Sequence, residues 1–74
     1  MKKVAVIGAG TMGNGIAHVF SQFGFEVNLI DLQVQQLEKA MATIERNLDR
    51  QVQKGIIDRE RKQQTISRIN AFTD

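Results

Sequence analysis

The chain lacks cysteine, proline, tryptophan and tyrosine, and its 74 residues include a single histidine. Without cysteine it can form neither a disulfide nor a thiolate metal site, which fits a reducing compartment. Its only aromatic residues are four phenylalanines, whose spacing indicates positions in a core. No apolar run approaches the roughly 20 residues of a membrane span, and Val4 to Ile7 is too short for the core of a signal peptide. We therefore expect a cytoplasmic protein with no membrane partner.

The charge balance is mild, with a formal net charge of +2 at pH 7. Nucleic-acid-binding domains usually carry a concentrated basic patch with aromatic partners, so we expect no nucleic-acid partner. The hydrophobic share of 42% is that of a globular domain rather than of a disordered tail. A chain of this length buries only about 60% of its unfolded surface, so its stability on its own is expected to be marginal.

The most informative segment is the run Val-Ala-Val-Ile-Gly-Ala-Gly-Thr-Met-Gly at residues 4–13. It places G-x-G-x-x-G between an apolar strand and a helix, which is the context of a dinucleotide-binding fingerprint. Gly8 then permits the tight turn, Gly10 lets the backbone approach a pyrophosphate, and Gly13 lets the helix lie close to the strand. The free N–H groups at the start of the helix favour the phosphates. The cofactor-binding residues predicted in this segment are Gly8, Ala9, Gly10, Thr11, Met12 and Gly13.

Asp31 ends the next apolar run, about 18 residues after Gly13, near the spacing of the carboxylate that accepts the ribose hydroxyls of an adenosine. A carboxylate there also repels a 2′-phosphate, and Leu32 and Gln33 bring no arginine to offset the repulsion. The pattern therefore predicts that Asp31 binds the cofactor and that the cofactor is NAD rather than NADP. The alternative is that Asp31 caps the following helix, a common role of aspartate.

The periodicity of the first half predicts an α/β fold that begins with a Rossmann-like βαβ unit over residues 3–31. Its first strand is the β-branched run at 4–7, and its second strand covers 25–30. Both strands are expected to be buried on both faces, as in a parallel sheet. The helix between them covers 11–23 and ends at Gly24. Its predicted apolar face consists of Met12, Ile16, Val19, Phe20 and Phe23.

The second half changes to helical spacing and predicts a helical hairpin over residues 34–69. A long helix runs to about Lys54 and ends at Gly55, and Asp58 caps a third helix over 59–69. The apolar stripe of the long helix consists of Val34, Leu37, Met41, Ile44 and Leu48. The whole chain, residues 1–74, is thus interpreted as the incomplete N-terminal part of a dinucleotide-binding domain, with two parallel strands and three helices.

Two strands leave apolar faces and unpaired backbone edges, so we expect a homo-oligomer in which a second copy covers them. The segment Phe72-Thr73-Asp74 looks like the approach to a further strand.

The remaining polar residues give little sign of chemistry. The only histidine, His18, has no Asp, Ser or Cys partner at a catalytic spacing and is interpreted as a solvated helix residue. No catalytic residue and no metal site is predicted. Asn47, Arg50 and Lys54 share one face of the long helix. That face is either an ordinary solvated surface or a cationic ledge for a phosphorylated ligand such as coenzyme A.

The run from Val4 to Phe20, with Gly24-Phe25 and Leu29-Ile30-Asp31, resembles the start of the L-3-hydroxyacyl-CoA dehydrogenases, in particular the bacterial 3-hydroxybutyryl-CoA dehydrogenases. The resemblance extends over the helical hairpin to the end of the chain. It implies an oxidoreductase that exchanges a hydride between NAD and a 3-hydroxyacyl-CoA, with NAD held by the glycine segment and Asp31. It also implies that Arg50 and Lys54 bind the coenzyme A part of the substrate.

The family's catalytic His–Glu pair and its helical dimerisation domain lie beyond position 74, so the resemblance implies that the 74 residues alone do not turn over substrate. Two other interpretations remain open. The chain is a nucleotide-binding regulatory module without a reaction of its own, or it is the start of an FAD-binding protein, since FAD uses the same fingerprint. The helical hairpin favours the dehydrogenase.

Overall fold

The computed structural model describes residues 2–73, which form one parallel sheet and three helices. Their chain order is β1 (Lys3–Ile7), α1 (Thr11–Gln22), β2 (Glu26–Asp31), α2 (Val34–Gln53), α3 (Arg59–Ser67) and β3 (Ile69–Thr73). The strands lie in the order β1-β2-β3, so both crossovers step across the sheet in the same direction. Because parallel crossovers are right-handed, all three helices lie on one face of the sheet.

The predicted α/β class and Rossmann-like βαβ unit are confirmed, but the predicted number of strands is wrong. The third helix was expected to reach residue 69, whereas it ends at Ser67 and a third strand begins at Ile69. This strand lies parallel to β2, with Ile69 opposite Val27. The edge of β2 explains why a strand forms here, because the Val27 N–H donates to the carbonyl of Arg68 at 2.8 Å and starts the pairing of β3 with β2. Such tertiary pairing overrides a weak local helical pattern.

The strands were also expected to be buried on both faces, and this is wrong for the described residues. The face under the helices is buried through Val6, Val27, Leu29 and Ile69. On the opposite face, Ile7, Ile30 and Phe72 are neighbours in register across the three strands. Ile7 is 85% exposed and Phe72 is about half exposed. The cause is the one-sided crossover pattern, which leaves no helix to cover this second face. We call Ile7, Ile30 and Phe72 the open apolar row.

Helix α1 buries a different face from the one predicted. Its side toward the sheet carries the small residues Gly13, Ala17 and Ser21, spaced four apart, and the last two are fully buried. Of the predicted apolar face, Phe20 packs against the core, whereas Met12, Ile16, Val19 and Phe23 are exposed. Small side chains allow the helix axis to lie close to the sheet. Close packing, and not the hydrophobicity of the larger side chains, therefore decides which face of α1 is buried.

Helix α2 follows its predicted stripe more closely. Leu37, Ile44 and Leu48 are buried and Met41 packs against the core, but Val34 is exposed and Ala40 is buried instead. The predicted roles of Gly24, Gly55 and Asp58 at helix ends are confirmed. Gly24 and Gly55 adopt positive φ angles of 96° and 74°, and Asp58 caps α3 by accepting a hydrogen bond from the Arg61 N–H at 2.7 Å.

The carboxyl end of α1 is capped by residues distant in sequence. Nη1 of Arg68, at the junction of α3 and β3, donates to the carbonyl of Ser21 at 2.9 Å. Helix α1 has no basic residue in its own last turn, and the Ser21 carbonyl already accepts a hydrogen bond from the Gly24 N–H at 3.2 Å, so this guanidinium adds a second, charged donor and opposes the negative end of the helix dipole.

We expect Arg68→Ala to lower the free energy of unfolding by about 1.5–3 kcal/mol, because a partly buried hydrogen bond to a charged group is lost. Urea unfolding measures this, and Arg59→Ala serves as the control because it removes an exposed arginine at the start of α3. Equal losses in the two variants would show that the cap contributes nothing.

Candidate functional site

The glycine turn between β1 and α1 has the geometry that the motif predicts. Gly8 adopts φ = 97°, and its N–H donates to the Ile30 carbonyl at 2.7 Å. Gly13 lies so close to this turn that a Cβ added to it would stand 1.8 Å from the Gly8 carbonyl oxygen. The predicted packing roles of Gly8 and Gly13 are therefore confirmed.

Gly10 opens the turn toward solvent at the beginning of α1. It is the N-cap residue in an extended conformation, and no atom lies within 4 Å of the position that a Cβ would occupy. A glycine offers no side chain to cap the helix, and the first turn carries no acidic residue. The N-cap residue therefore provides no side-chain acceptor at this helix end, where the helix dipole favours an anion.

Asp31 lies at the carboxyl end of β2, beside the glycine turn. Its Oδ2 accepts a hydrogen bond from the Ala9 N–H at 2.8 Å, and its Oδ1 accepts one from the Gln33 N–H at 2.9 Å. The Ala9 N–H, followed by that of Gln33, holds the pKa of the Asp31 carboxyl below its ordinary value, so the group is ionised at neutral pH. The N-cap residue of α2 is Gln33, so the alternative that Asp31 itself caps this helix is wrong.

The other two predicted cofactor residues, Thr11 and Met12, begin α1. The Met12 side chain is 79% exposed and free for contact. The side chain of Thr11 lies outside the part that the structure describes.

The predicted ledge lies far from the glycine turn. Arg50 belongs to the last turn of α2, and Lys54 is its C-cap residue. A helix rises about 1.5 Å per residue, so Arg50 lies roughly 24 Å along the axis from Val34, the first residue of the helix. Both basic side chains are exposed and Asn47 is half-buried. The structure therefore brings Asp31 and the glycine turn together, and it does not bring Arg50 and Lys54 to them.

Comparison with known proteins adds the decisive observation. Residues 3–74 match the family model described as 3-hydroxyacyl-CoA dehydrogenase, NAD binding domain. The chain belongs to this family. It is 54% identical over 71 residues to a 3-hydroxybutyryl-CoA dehydrogenase of Bradyrhizobium diazoefficiens, a match that covers 96% of the chain and 24% of that protein. It is 38% identical to a 3-hydroxyadipyl-CoA dehydrogenase of Escherichia coli, over the whole chain and 16% of the relative.

The solved structures agree with these sequence matches. The (S)-3-hydroxybutyryl-CoA dehydrogenase of Ralstonia eutropha superposes with a TM-score of 0.96 at 34% identity, over the whole chain and 26% of that protein. A 3-hydroxybutyryl-CoA dehydrogenase of Escherichia coli gives a TM-score of 0.94 at 38% identity, over 99% of the chain and 16% of that structure. This NAD-binding domain thus spans about a quarter or less of the length of the relatives it matches. The family match rules against the FAD interpretation.

Outside the glycine turn and Asp31, the residues that the structure describes include no second chemical centre. His18 is half-buried, not fully solvated, and its Nε2 lies 2.8 Å from Oε1 of Gln22. Nε2 of Gln22 in turn donates to Oε1 of Gln51 at 3.2 Å, so the histidine belongs to a chain of contacts between α1 and α2. Among residues 2–73 no three His, Cys, Asp or Glu side chains are grouped as metal ligands. No helix in this range is long and apolar enough to cross a membrane.

The backbone partners of Asp31 were missed by sequence reasoning. The sequence identified its carboxylate as an acceptor for a ribose, but the Ala9 and Gln33 N–H groups that bind it carry no residue-specific signal. The spacing from Asp31 to Gln33, which permits a turn closed by an aspartate side chain, could have indicated one of the two contacts.

Proposed function

We propose that this domain binds NAD at the glycine turn, with the pyrophosphate at the start of α1 and the adenosine ribose on Asp31. The observation that carries the proposal is the contact between Asp31 and Ala9, because it places the ionised carboxylate directly beside the turn. The open space at Gly10 and the helix start without an N-cap side chain suit two phosphates, and the carboxylate suits two hydroxyls. The residues proposed to hold the cofactor are Gly8, Ala9, Gly10, Thr11, Met12, Gly13 and Asp31.

We further propose that the whole protein is an NAD-dependent dehydrogenase of 3-hydroxyacyl-CoA, working in the cytoplasm. The bound nicotinamide would supply hydride exchange, while the residues of this domain bind and orient the cofactor. The names of the relatives support this substrate class. Arg50 and Lys54 are proposed to bind the phosphates of the coenzyme A, which their exposure and positive charge support. The absence of cysteine fits a reducing compartment.

Asp31→Ala is expected to weaken NAD binding about tenfold or more, because two hydrogen bonds to a charged acceptor are lost. Asp31→Ser combined with Leu32→Arg is expected to shift the preference toward NADP, because repulsion is removed and a cation is added. Calorimetric titration measures both, with Glu38→Ala as a control that removes an exposed carboxylate from α2. An Asp31→Ala variant with the NAD affinity of the wild type would refute the ribose assignment.

We also propose that the 74-residue chain self-associates. Its support is the open apolar row and the unpaired outer edges of β1 and β3, which a second copy can cover. Sedimentation equilibrium at micromolar concentration is expected to give a mass above the 8.3 kDa of one chain. Phe72→Ser should reduce that mass, whereas Ile56→Ser, which changes an exposed isoleucine in the turn between α2 and α3, should not. A folded monomer of the wild-type chain contradicts this proposal.

A further inference from the structure

The Asp31 carboxylate makes two contacts that a ribose acceptor does not need. Oδ2 binds the glycine turn through the Ala9 N–H, and Oδ1 binds the turn between β2 and α2 through the Gln33 N–H. We propose that Asp31 is also a positioning residue, which clamps the glycine turn and thereby sets the N–H groups of α1 for a pyrophosphate. This inference rests on the proposed NAD function and assigns Asp31 a role toward the phosphates.

The glycine turn needs such a clamp because its own backbone is unusually free. Gly8 and Gly10 flank Ala9, and glycine loses more conformational freedom on ordering than any other residue. Ala9 is only 2% exposed, so its N–H requires a partner inside the protein. Asp31 is that partner. From the other side the turn is fixed by the close contact of Gly13 with the Gly8 carbonyl. The turn is therefore held from both sides.

The Asp31 carboxylate can hold the glycine turn and bind the ribose at the same time. An ionised carboxylate offers about four acceptor positions, of which the Ala9 and Gln33 N–H groups occupy two. The remaining acceptor capacity of the carboxylate suits ribose hydroxyls. The bonds to an ionised acceptor are also stronger than neutral ones, which suits a group that must hold a glycine-rich turn.

The first test is amide hydrogen exchange on the full chain without nucleotide. In Asp31→Ala, exchange at the Ala9 amide is expected to rise about tenfold relative to the wild type, because its only acceptor is gone. Glu38→Ala is the matched control and should leave the Ala9 amide unchanged. Asp31→Asn keeps one acceptor oxygen, so exchange should rise at either Ala9 or Gln33 and not at both. This milder variant decides the matter if Asp31→Ala does not fold. Unchanged exchange at both amides in Asp31→Asn overturns the clamp.

The second test separates the clamp from the ribose contact. The probe is an NAD analogue whose adenosine ribose lacks both hydroxyls, so that Asp31 has no ribose group to bind. The clamp predicts that Asp31→Ala still weakens binding of this analogue, by about threefold or more. If Asp31→Ala weakens NAD binding but leaves analogue binding unchanged, the residue acts on the ribose alone and the inference is wrong.

The two tests distinguish a failure of the clamp from a failure of NAD binding. If neither NAD nor the analogue binds the wild-type chain, the proposed function fails for this chain. Faster exchange at Ala9 in Asp31→Ala would then still establish the clamp as a property of the fold. Unchanged exchange would overturn the clamp as well.

Discussion

Gly13→Ala is expected to destabilise the domain by about 3 kcal/mol. The added methyl group would stand 1.8 Å from the Gly8 carbonyl oxygen and 2.9 Å from its carbonyl carbon. These are backbone atoms in a turn that is held from its other side by Asp31, so the clash can be relieved only by moving α1 away from the sheet. Urea unfolding of the full chain measures the loss, which corresponds to a fall in Tm of roughly 4–8 °C for each kcal/mol in a domain of this size.

Gly15→Ala is the matched control for Gly13→Ala. Gly15 lies in the same helix, two residues further on, and no atom lies within 4 Å of the position of its added Cβ. Alanine is favoured over glycine in a helix interior, so this variant should gain about 0.5–1 kcal/mol. The two variants are thus expected to change stability in opposite directions. If both are stabilised, the close packing of α1 on the turn is not what constrains Gly13.

Gly10→Ala is expected to separate binding from folding. Its backbone angles, φ = −65° and ψ = −170°, are open to alanine, and the added Cβ meets no protein atom. The free energy of unfolding should therefore fall by less than about 1 kcal/mol, the cost of replacing glycine at an N-cap. The same Cβ would project into the space proposed for the pyrophosphate, so we expect NAD affinity to fall about tenfold or more.

The outcome of Gly10→Ala is measured by calorimetric titration beside urea unfolding. Gly15→Ala again serves as the control, because it adds the same methyl group to α1 away from the turn and should leave NAD affinity unchanged. Unchanged NAD affinity in Gly10→Ala would show that the pyrophosphate does not bind beside Gly10. A large loss of stability in the same variant would mean that the turn is more tightly packed than its geometry shows.

The glycine turn could be predicted from the sequence because its requirements are local. A positive φ at Gly8 and a close approach at Gly13 each demand the absence of a side chain, and the spacing of the motif encodes both. The same holds for the helix ends at Gly24 and Gly55 and for the cap at Asp58. Each of these features is decided within a few residues.

The features that could not be predicted depend on partners distant in sequence. β3 forms because the edge of β2 offers backbone hydrogen bonds to residues about 42 positions further on. The buried side of α1 is chosen by how closely Ala17 and Ser21 allow the helix to approach the sheet, and not by its largest apolar side chains. The Asp31 clamp likewise joins two turns through backbone N–H groups, which every residue type except proline provides.

The cap that Arg68 provides for α1 has a consequence for how the domain opens. The bond joins positions 47 residues apart, so it connects the first helix to the start of the last strand. Partial unfolding that releases β3 also removes one of the two donors to the Ser21 carbonyl at the end of α1, and we expect the two segments to open as one cooperative unit. Amide protons near Ser21 then report on the detachment of β3. We therefore expect the amides at the end of α1 to lose protection from hydrogen exchange when β3 detaches.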